Sequence, residues 1–174
     1  MAGGRPVKWK TPEGMQVSAE RVVSLFEAKQ DFVNEKTLCD YLELNIDKLT
    51  EQLGYKYISH KREASMLPFA RFGARPPRVD FRIEIGTNEF IYIECKAPSS
   101  QIYAEMNKGI SQMMAYIIKA RDYNIRVKDF WILTTALEAE SLRLIVEFKL
   151  PINVCVFSKG KMAIWRHDGK TINV

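Results

Sequence analysis

Asp80, Glu94 and Lys96 are the residues of this 174-residue chain whose types and spacing best suit joint chemistry. Glu94 and Lys96 stand two apart in Phe-Ile-Tyr-Ile-Glu-Cys-Lys, residues 90–96. In an extended strand that spacing puts both on one face, roughly 7 Å apart along the chain. Asp80 belongs to the preceding run, across the short Gly86-Thr87-Asn88 loop. Two strands of a hairpin therefore offer two carboxylates and an amine to one small volume, with the register left open. The chemistry such a cluster serves is phosphodiester hydrolysis. Two carboxylates bind Mg²⁺ or Mn²⁺ through oxygen and leave water positions open. The metal lowers the pKa of a bound water and stabilises charge on phosphate oxygens. A lysine beside it orients that water or offsets the negative charge of the transition state. The plain alternative is a surface hairpin with ordinary salt bridges. Lys96 argues against that alternative. It follows Ile91, Ile93 and Cys95 on a strand apolar on both faces, where an ammonium is costly unless carboxylates receive it.

The elements that must hold these residues follow from patterning. Residues 78–85 alternate, with Val79, Phe81, Ile83 and Ile85 on one face and Arg78, Asp80, Arg82 and Glu84 on the other, which predicts a strand. Residues 90–96 form the returning strand, and Pro98 marks its end. Residues 102–123 carry Met106, Ile110, Met113, Met114 and Ile117 at helical spacing, a stripe read most simply as core. Upstream, Ser18 is the expected N-cap of a helix to about Val33. Asn34 caps a second, with a break near Asn45 and Gly54 after its end. Residues 55–59 are expected to form the first strand, and 60–77 to be mostly loop. Downstream come a strand at 129–135, a helix at 138–149, strands at 152–157 and 161–166, and a turn at 167–170. The order ααβββαβαβ implies one α/β domain with a mixed central sheet. It is expected over 17–174, with 1–16 as a flexible basic arm.

Asp80 followed by Glu94-Cys95-Lys96, on a hairpin leading into a helix, resembles the PD-(D/E)XK nuclease superfamily. Asn34-Glu35-Lys36-Thr37-Leu38-Cys39-Asp40-Tyr41-Leu42 is similar to the acidic helix opening the nuclease domains of type I restriction enzymes and related structure-specific endonucleases. Lys108-Gly109-Ile110-Ser111-Gln112-Met113-Met114-Ala115-Tyr116 resembles the helix those domains place after the Lys strand. The likeness spans about residues 34–158; its motifs are individually weak and jointly fairly specific. One departure is Arg78-Val79 in place of the motif's Pro. The resemblance implies a restriction-endonuclease-like single domain: a mixed central β-sheet flanked by helices, with N-terminal helices and a basic arm. It implies that Asp80 and Glu94 hold the metal, that the Cys95 carbonyl helps, and that Lys96 positions the attacking water. Gln112 becomes an auxiliary site residue and Tyr116 a weaker one, four apart and so on one helix face; Tyr116 serves equally as core. Glu35 is the preferred helix carboxylate, with Glu43 as its rival. Glu35 is also a favourable first-turn charge against the helix dipole.

Net charge is +5, from 26 Lys+Arg against 21 Asp+Glu, and it is unevenly spread. Residues 1–12 carry +3, 13–55 carry −5, 56–78 carry +5 and 79–174 carry +2. The first basic segment is the arm, with Arg5, Lys8 and Lys10. The second interleaves Lys61, Arg62, Arg71, Arg75 and Arg78 with Phe69 and Phe72. Guanidiniums suit phosphates and aromatics stack on unpaired bases, so both segments are expected to bind DNA. The alternatives are a solubilising tail and a solvated loop with a phenylalanine in the core. Gly4-Arg5-Pro6 resembles the core of minor-groove hooks, and the opening residues look like those of phage DNA-packaging proteins.

Other classes are excluded. No apolar run approaches the ~18 residues of a membrane span, and the N-terminus lacks the apolar stretch of a secretory signal. A cytoplasmic location is expected, in a bacterial, archaeal or phage-infected host cell. Cys39, Cys95 and Cys155 fit neither a disulfide framework nor a cysteine zinc site. With only His60 and His167, carboxylates and lysine must carry any chemistry. The expected function is a Mg²⁺-dependent endodeoxyribonuclease, with Mn²⁺ able to substitute. The alternatives are a catalytically silent DNA-binding or assembly module on the same fold, and a ribonuclease using the same site. Cutting both strands of a duplex points to a homodimer. The form of the substrate and the number of metal ions stay open.

Overall fold

Six consecutive residues, Ile91, Tyr92, Ile93, Glu94, Cys95 and Lys96, are all buried. Only a strand covered on both faces permits that. The computed structural model describes residues 16–18, 34–68, 77–97, 102–135, 139–158 and 161–167. Along the chain run β1 (Gln16–Ser18), α1 (Glu35–Glu43), α2 (Ile46–Gln52), β2 (Ser59–Ser65), β3 (Arg78–Gly86) and β4 (Glu89–Lys96). Then come α3 (Ile102–Asp122), β5 (Arg126–Thr134), α4 (Ala139–Glu147), β6 (Ile152–Ser158) and β7 (Lys161–Trp165). The strands form one mixed sheet in the order β1-β7-β6-β5-β4-β3-β2. Its centre, β4-β5-β6, is parallel, while the flanking pairs are antiparallel. Parallel neighbours need long crossovers, and α3 and α4 supply them. The mixed α/β sheet flanked by helices is the fold class the motifs implied.

The two faces are covered by different helices. Leu38, Cys39 and Leu42 of α1, with Ile46 and Leu49 of α2, pack on Phe81, Ile83, Ile91, Ile93, Cys95 and Trp131. Met106, Ile110, Met113 and Tyr116 of α3 pack with Leu142 and Ile145 of α4 on Tyr92, Ile132 and Val154. The methionine stripe is core, as expected. Because Glu94 and Lys96 alternate with the Ile91-Ile93-Cys95 face, the strand period turns both toward α3.

Local signals set the ends of α1 and α2. The Asn34 side chain accepts the Thr37 N–H at 2.9 Å while Thr37 Oγ1 accepts the Asn34 N–H, a reciprocal cap. The expected break near Asn45 is present, and Gly54 follows α2 at φ +91°, a conformation that favours glycine.

Three expectations are corrected. Gln16, expected in the flexible arm, is paired in the sheet together with Ser18. Both lie in β1, with Ser18 opposite Met162 of β7. The first strand of the hairpin sheet is not at 55–59: the Tyr55 N–H closes α2 on the Thr50 carbonyl, and β2 begins at Ser59. Residues 60–65, expected as loop, are strand. Ser-His-Lys-Arg-Glu-Ala-Ser buries only Ala64, because an edge strand is commonly charged and hides its period. The arm residues Arg5, Lys8 and Lys10, the helix expected over 19–33, and Phe69, Arg71, Phe72 and Arg75 lie outside the described residues.

Candidate active site

The register of the hairpin decides whether the carboxylates meet. Phe81 stands opposite Ile93 and Arg82 opposite Tyr92, so Asp80 follows at the level of Glu94. There the ladder opens. Instead of a backbone carbonyl, Asp80 Oδ2 accepts the Cys95 N–H at 2.7 Å. That bond fixes the half-buried Asp80 carboxylate against β4. Across from Asp80 on β2, Glu63 has a positive φ of 45°, a strained conformation for a residue with a Cβ. The distortion thus coincides with the place where β3 leaves regular pairing.

Glu94 and Lys96 are 3% and 2% exposed, and Lys96 Nζ donates to Glu94 Oε1 at 2.9 Å. Glu35, in the first turn of α1, reaches the same ammonium at 3.4 Å. Room for the lysine comes from α3. A Cβ on Gly109 would stand 3.2 Å from Lys96 Cγ and 3.4 Å from Cε, so the absent side chain is the space the lysine stem fills. Gln112 and Tyr116 follow Gly109 by three and seven residues, on one face of the helix. The Tyr116 hydroxyl donates to the Arg78 carbonyl at 2.6 Å, tying α3 to the start of β3. Two buried oxygens of the site have no hydrogen-bond partner among the described residues, Glu94 Oε2 and Gln112 Oε1; elsewhere Gln52 Oε1 is likewise without one.

Electrostatics follow from crowding. Burial, then the neighbouring Asp80, pushes the Glu94 carboxyl up to about 7, against the pull of Lys96. Burial also raises Asp80, opposed by the Cys95 N–H and Lys96 and reinforced by Glu35 and Glu63. For Lys96 burial is the largest influence and lowers its pKa, yet Glu94, Glu35 and Asp80 together hold it above its ordinary value. The Tyr116 hydroxyl is raised by burial and by Glu94 and Asp80 beside it. Three carboxylates thus face one ammonium. The excess of negative charge and the orphaned Glu94 oxygen suit a hard divalent cation with oxygen ligands, of the Mg²⁺ or Mn²⁺ kind. Asp80 and Glu94 are the side chains able to hold it.

Of the residues singled out in the sequence, Glu35, Asp80, Glu94, Cys95, Lys96 and Tyr116 come together. Gln112 sits on the same face of α3 as Gly109 and Tyr116. Glu43 does not join them: its carboxylate pairs with Arg62 at 2.8 Å and lies 3.7 Å from His60. Arg62 also binds Asp40 at 2.6 Å, so its guanidinium clamps β2 to α1. Lys61 and Arg78 are exposed. The sequence reading missed Gly109, Glu63 and Cys39. Gly109 had a signal, a glycine inside an otherwise helical pattern. Glu63 and Cys39 had none, because their relevance depends on which elements pack together.

No family model and no curated protein matches the chain. Among solved structures it is similar to the small subunit of the heterodimeric restriction endonuclease R.BspD6I. The TM-score is 0.45 and the identity 18%, over 79% of this chain and 71% of that one. Among the described residues no helix is long and apolar enough to cross a membrane. A candidate function is carried by the geometry of the site rather than by the likeness.

Proposed function

We propose that the chain is a divalent-metal-dependent endonuclease that hydrolyses phosphodiester bonds of DNA. The observation that carries this reading is a lysine and a glutamate, both almost fully buried, ion-paired at the end of one strand beside Asp80 of its partner. Burying that group of charges is expensive, and a structural hairpin gains nothing by it.

When bound, a Mg²⁺ or Mn²⁺ ion would supply Lewis-acid chemistry, making water a better nucleophile near neutral pH and offsetting charge on the phosphate. Asp80 and Glu94 would hold it, and the Cys95 carbonyl would serve as a further oxygen donor. The Cys95 N–H keeps Asp80 oriented, and Glu94, reinforced by Glu35, keeps Lys96 charged. Lys96 then holds a proton and a positive charge beside the attacking oxygen. Gln112 would offer its unpartnered oxygen to substrate or water, while Tyr116 holds α3 in register. The exposed Lys61 and Arg78, with the basic residues at 5–10 and 71–75, meet the phosphate backbone. Two copies acting as a homodimer would address both strands.

The test is cleavage of duplex, single-stranded and branched DNA and of RNA, with Mg²⁺, Mn²⁺ or chelator. Metal-dependent DNA cleavage is expected, reduced about a hundred-fold or more in folded Lys96→Ala and Asp80→Asn proteins. Variants that cut as well as wild type would sink the assignment. Cleavage of RNA alone would move the substrate, and binding without cleavage would leave a recognition module.

A further inference from the structure

Beneath the carboxylates lies a second set of ligand atoms of different chemistry. Cys39 Sγ, Cys95 Sγ and an Asp80 carboxylate oxygen all lie within 4.8 Å of one another. They come from α1, β4 and β3, elements that meet only in the folded chain, so the wide cysteine spacing that argued against a zinc site in the sequence does not hold in the fold. We propose that these three side chains form a site for a borderline-soft transition-metal ion of the Zn²⁺ class, beside the hard-ion site and sharing its Asp80.

The geometry is close to what such an ion requires. Zinc–thiolate bonds of about 2.3 Å in a tetrahedron put neighbouring donors about 3.8 Å apart. The three atoms need approach by no more than about 1 Å, within the reach of small side-chain rotations. Both thiols are free and buried, with their sulfurs within 4.8 Å of each other. Asp80 is only half-buried, which gives an ion its approach and leaves a fourth position for water. Two thiolates select a zinc-like ion over Mg²⁺. The three ligands leave the filled site with excess negative charge, and the Lys96 ammonium nearby offsets it.

Sharing Asp80 makes the two ions competitors. A zinc-like ion on the thiols removes a carboxylate from the hard-ion site, so it inhibits rather than serves catalysis. This consequence rests on the nuclease reading; the site itself does not.

The experiment separates the two. Reduced protein, held with a thiol-free reductant, is titrated with Co²⁺ and followed by absorption. Wild type is expected to bind one equivalent with an intense thiolate-to-cobalt charge-transfer band, which Zn²⁺ abolishes. Cys39→Ser and Cys39→Ala are each expected to lose the band. A wild-type titration without it, or a band that survives in the Cys39 variants, overturns the site. In a second arm, Zn²⁺ lowers Mn²⁺-driven cleavage by wild type, and Cys39→Ser requires about ten-fold more Zn²⁺ or greater for the same loss. Equal sensitivity of the two proteins overturns the competition. Absence of cleavage in every protein would refute the nuclease reading and leave the cobalt band to decide the site.

Discussion

Glu94 puts one oxygen on Lys96 and leaves the other without a partner, and this asymmetry has a thermodynamic consequence. Its carboxyl stands at about 7 in the folded protein against an ordinary 4.5. Between those values the folded state binds the extra proton, so stability from this group is full at low pH and falls as pH rises through the window. The loss is on the order of 3 kcal/mol, or roughly 10 °C in Tm for a domain of this size. Asp80 shifts in the same direction. Metal-free protein is therefore expected to melt lower at about pH 8 than at about pH 5, with Glu94→Gln flattening the slope. Mn²⁺ should raise Tm more at the higher pH, because it binds the ionised carboxylate. Thermal melts with and without Mn²⁺ check both. Gly109 gives a second expectation. Gly109→Ala adds up to about 1 kcal/mol of helix propensity, but its Cβ meets a buried, ion-paired lysine stem that has little freedom to yield. Cleavage should fall about ten-fold with Tm little changed; unaltered rates would show that the stem gives way. Asp80, Glu94 and Lys96 were legible in sequence because the strand period alone puts them on one hairpin. Gly109 was legible only as an anomaly, since its role is defined by a residue thirteen positions earlier.

At the scale of elements, the site needs α1 held against the hairpin so that Glu35 reaches Lys96. Arg62 does this from β2 by pairing with both Asp40 and Glu43 of α1. The sequence placed Arg62 among the DNA-binding cations, because a charged run without apolar alternation reads as loop. Once β2 is an edge strand beside β3, that guanidinium has intramolecular partners. Arg62→Ala is expected to cost about 1 kcal/mol, the scale of partly exposed ion pairs, and to lower Tm by a few degrees. The salt dependence of DNA binding should be unchanged. A decrease of about 1 in the log–log salt slope would instead make Arg62 a phosphate contact. Both crossover helices and the apolar strands were legible because their periods are carried by buried residues. β2 was not, and neither was β1, whose three residues are too short for a period to register.

Across the whole molecule, chemistry and anchorage sit at opposite ends of the central strands. Glu94 and Lys96 lie at the C-terminal end of β4, where Lys96 faces Thr134 of β5. Asp129 faces Ile91, five residues back and therefore about 16 Å away along the sheet. Asp129 is buried and receives Arg166 at 2.9 Å together with the Tyr55 hydroxyl, while the guanidinium lies over the Tyr55 and Trp131 rings. This network ties Tyr55, just beyond α2, and Arg166, the residue after β7, onto β5. Asp129→Asn removes the charge opposite a mostly buried arginine, a change that costs about 3 kcal/mol and so several degrees of Tm. Well below its melting range the variant should cut DNA at the wild-type rate. Lys96→Met should show the opposite pattern, losing cleavage while retaining cooperative unfolding. Measuring melting and cleavage on both proteins tests the division. If Asp129→Asn loses activity while still folded, the two ends are coupled through β4 and β5, and the separation drawn from the register is wrong.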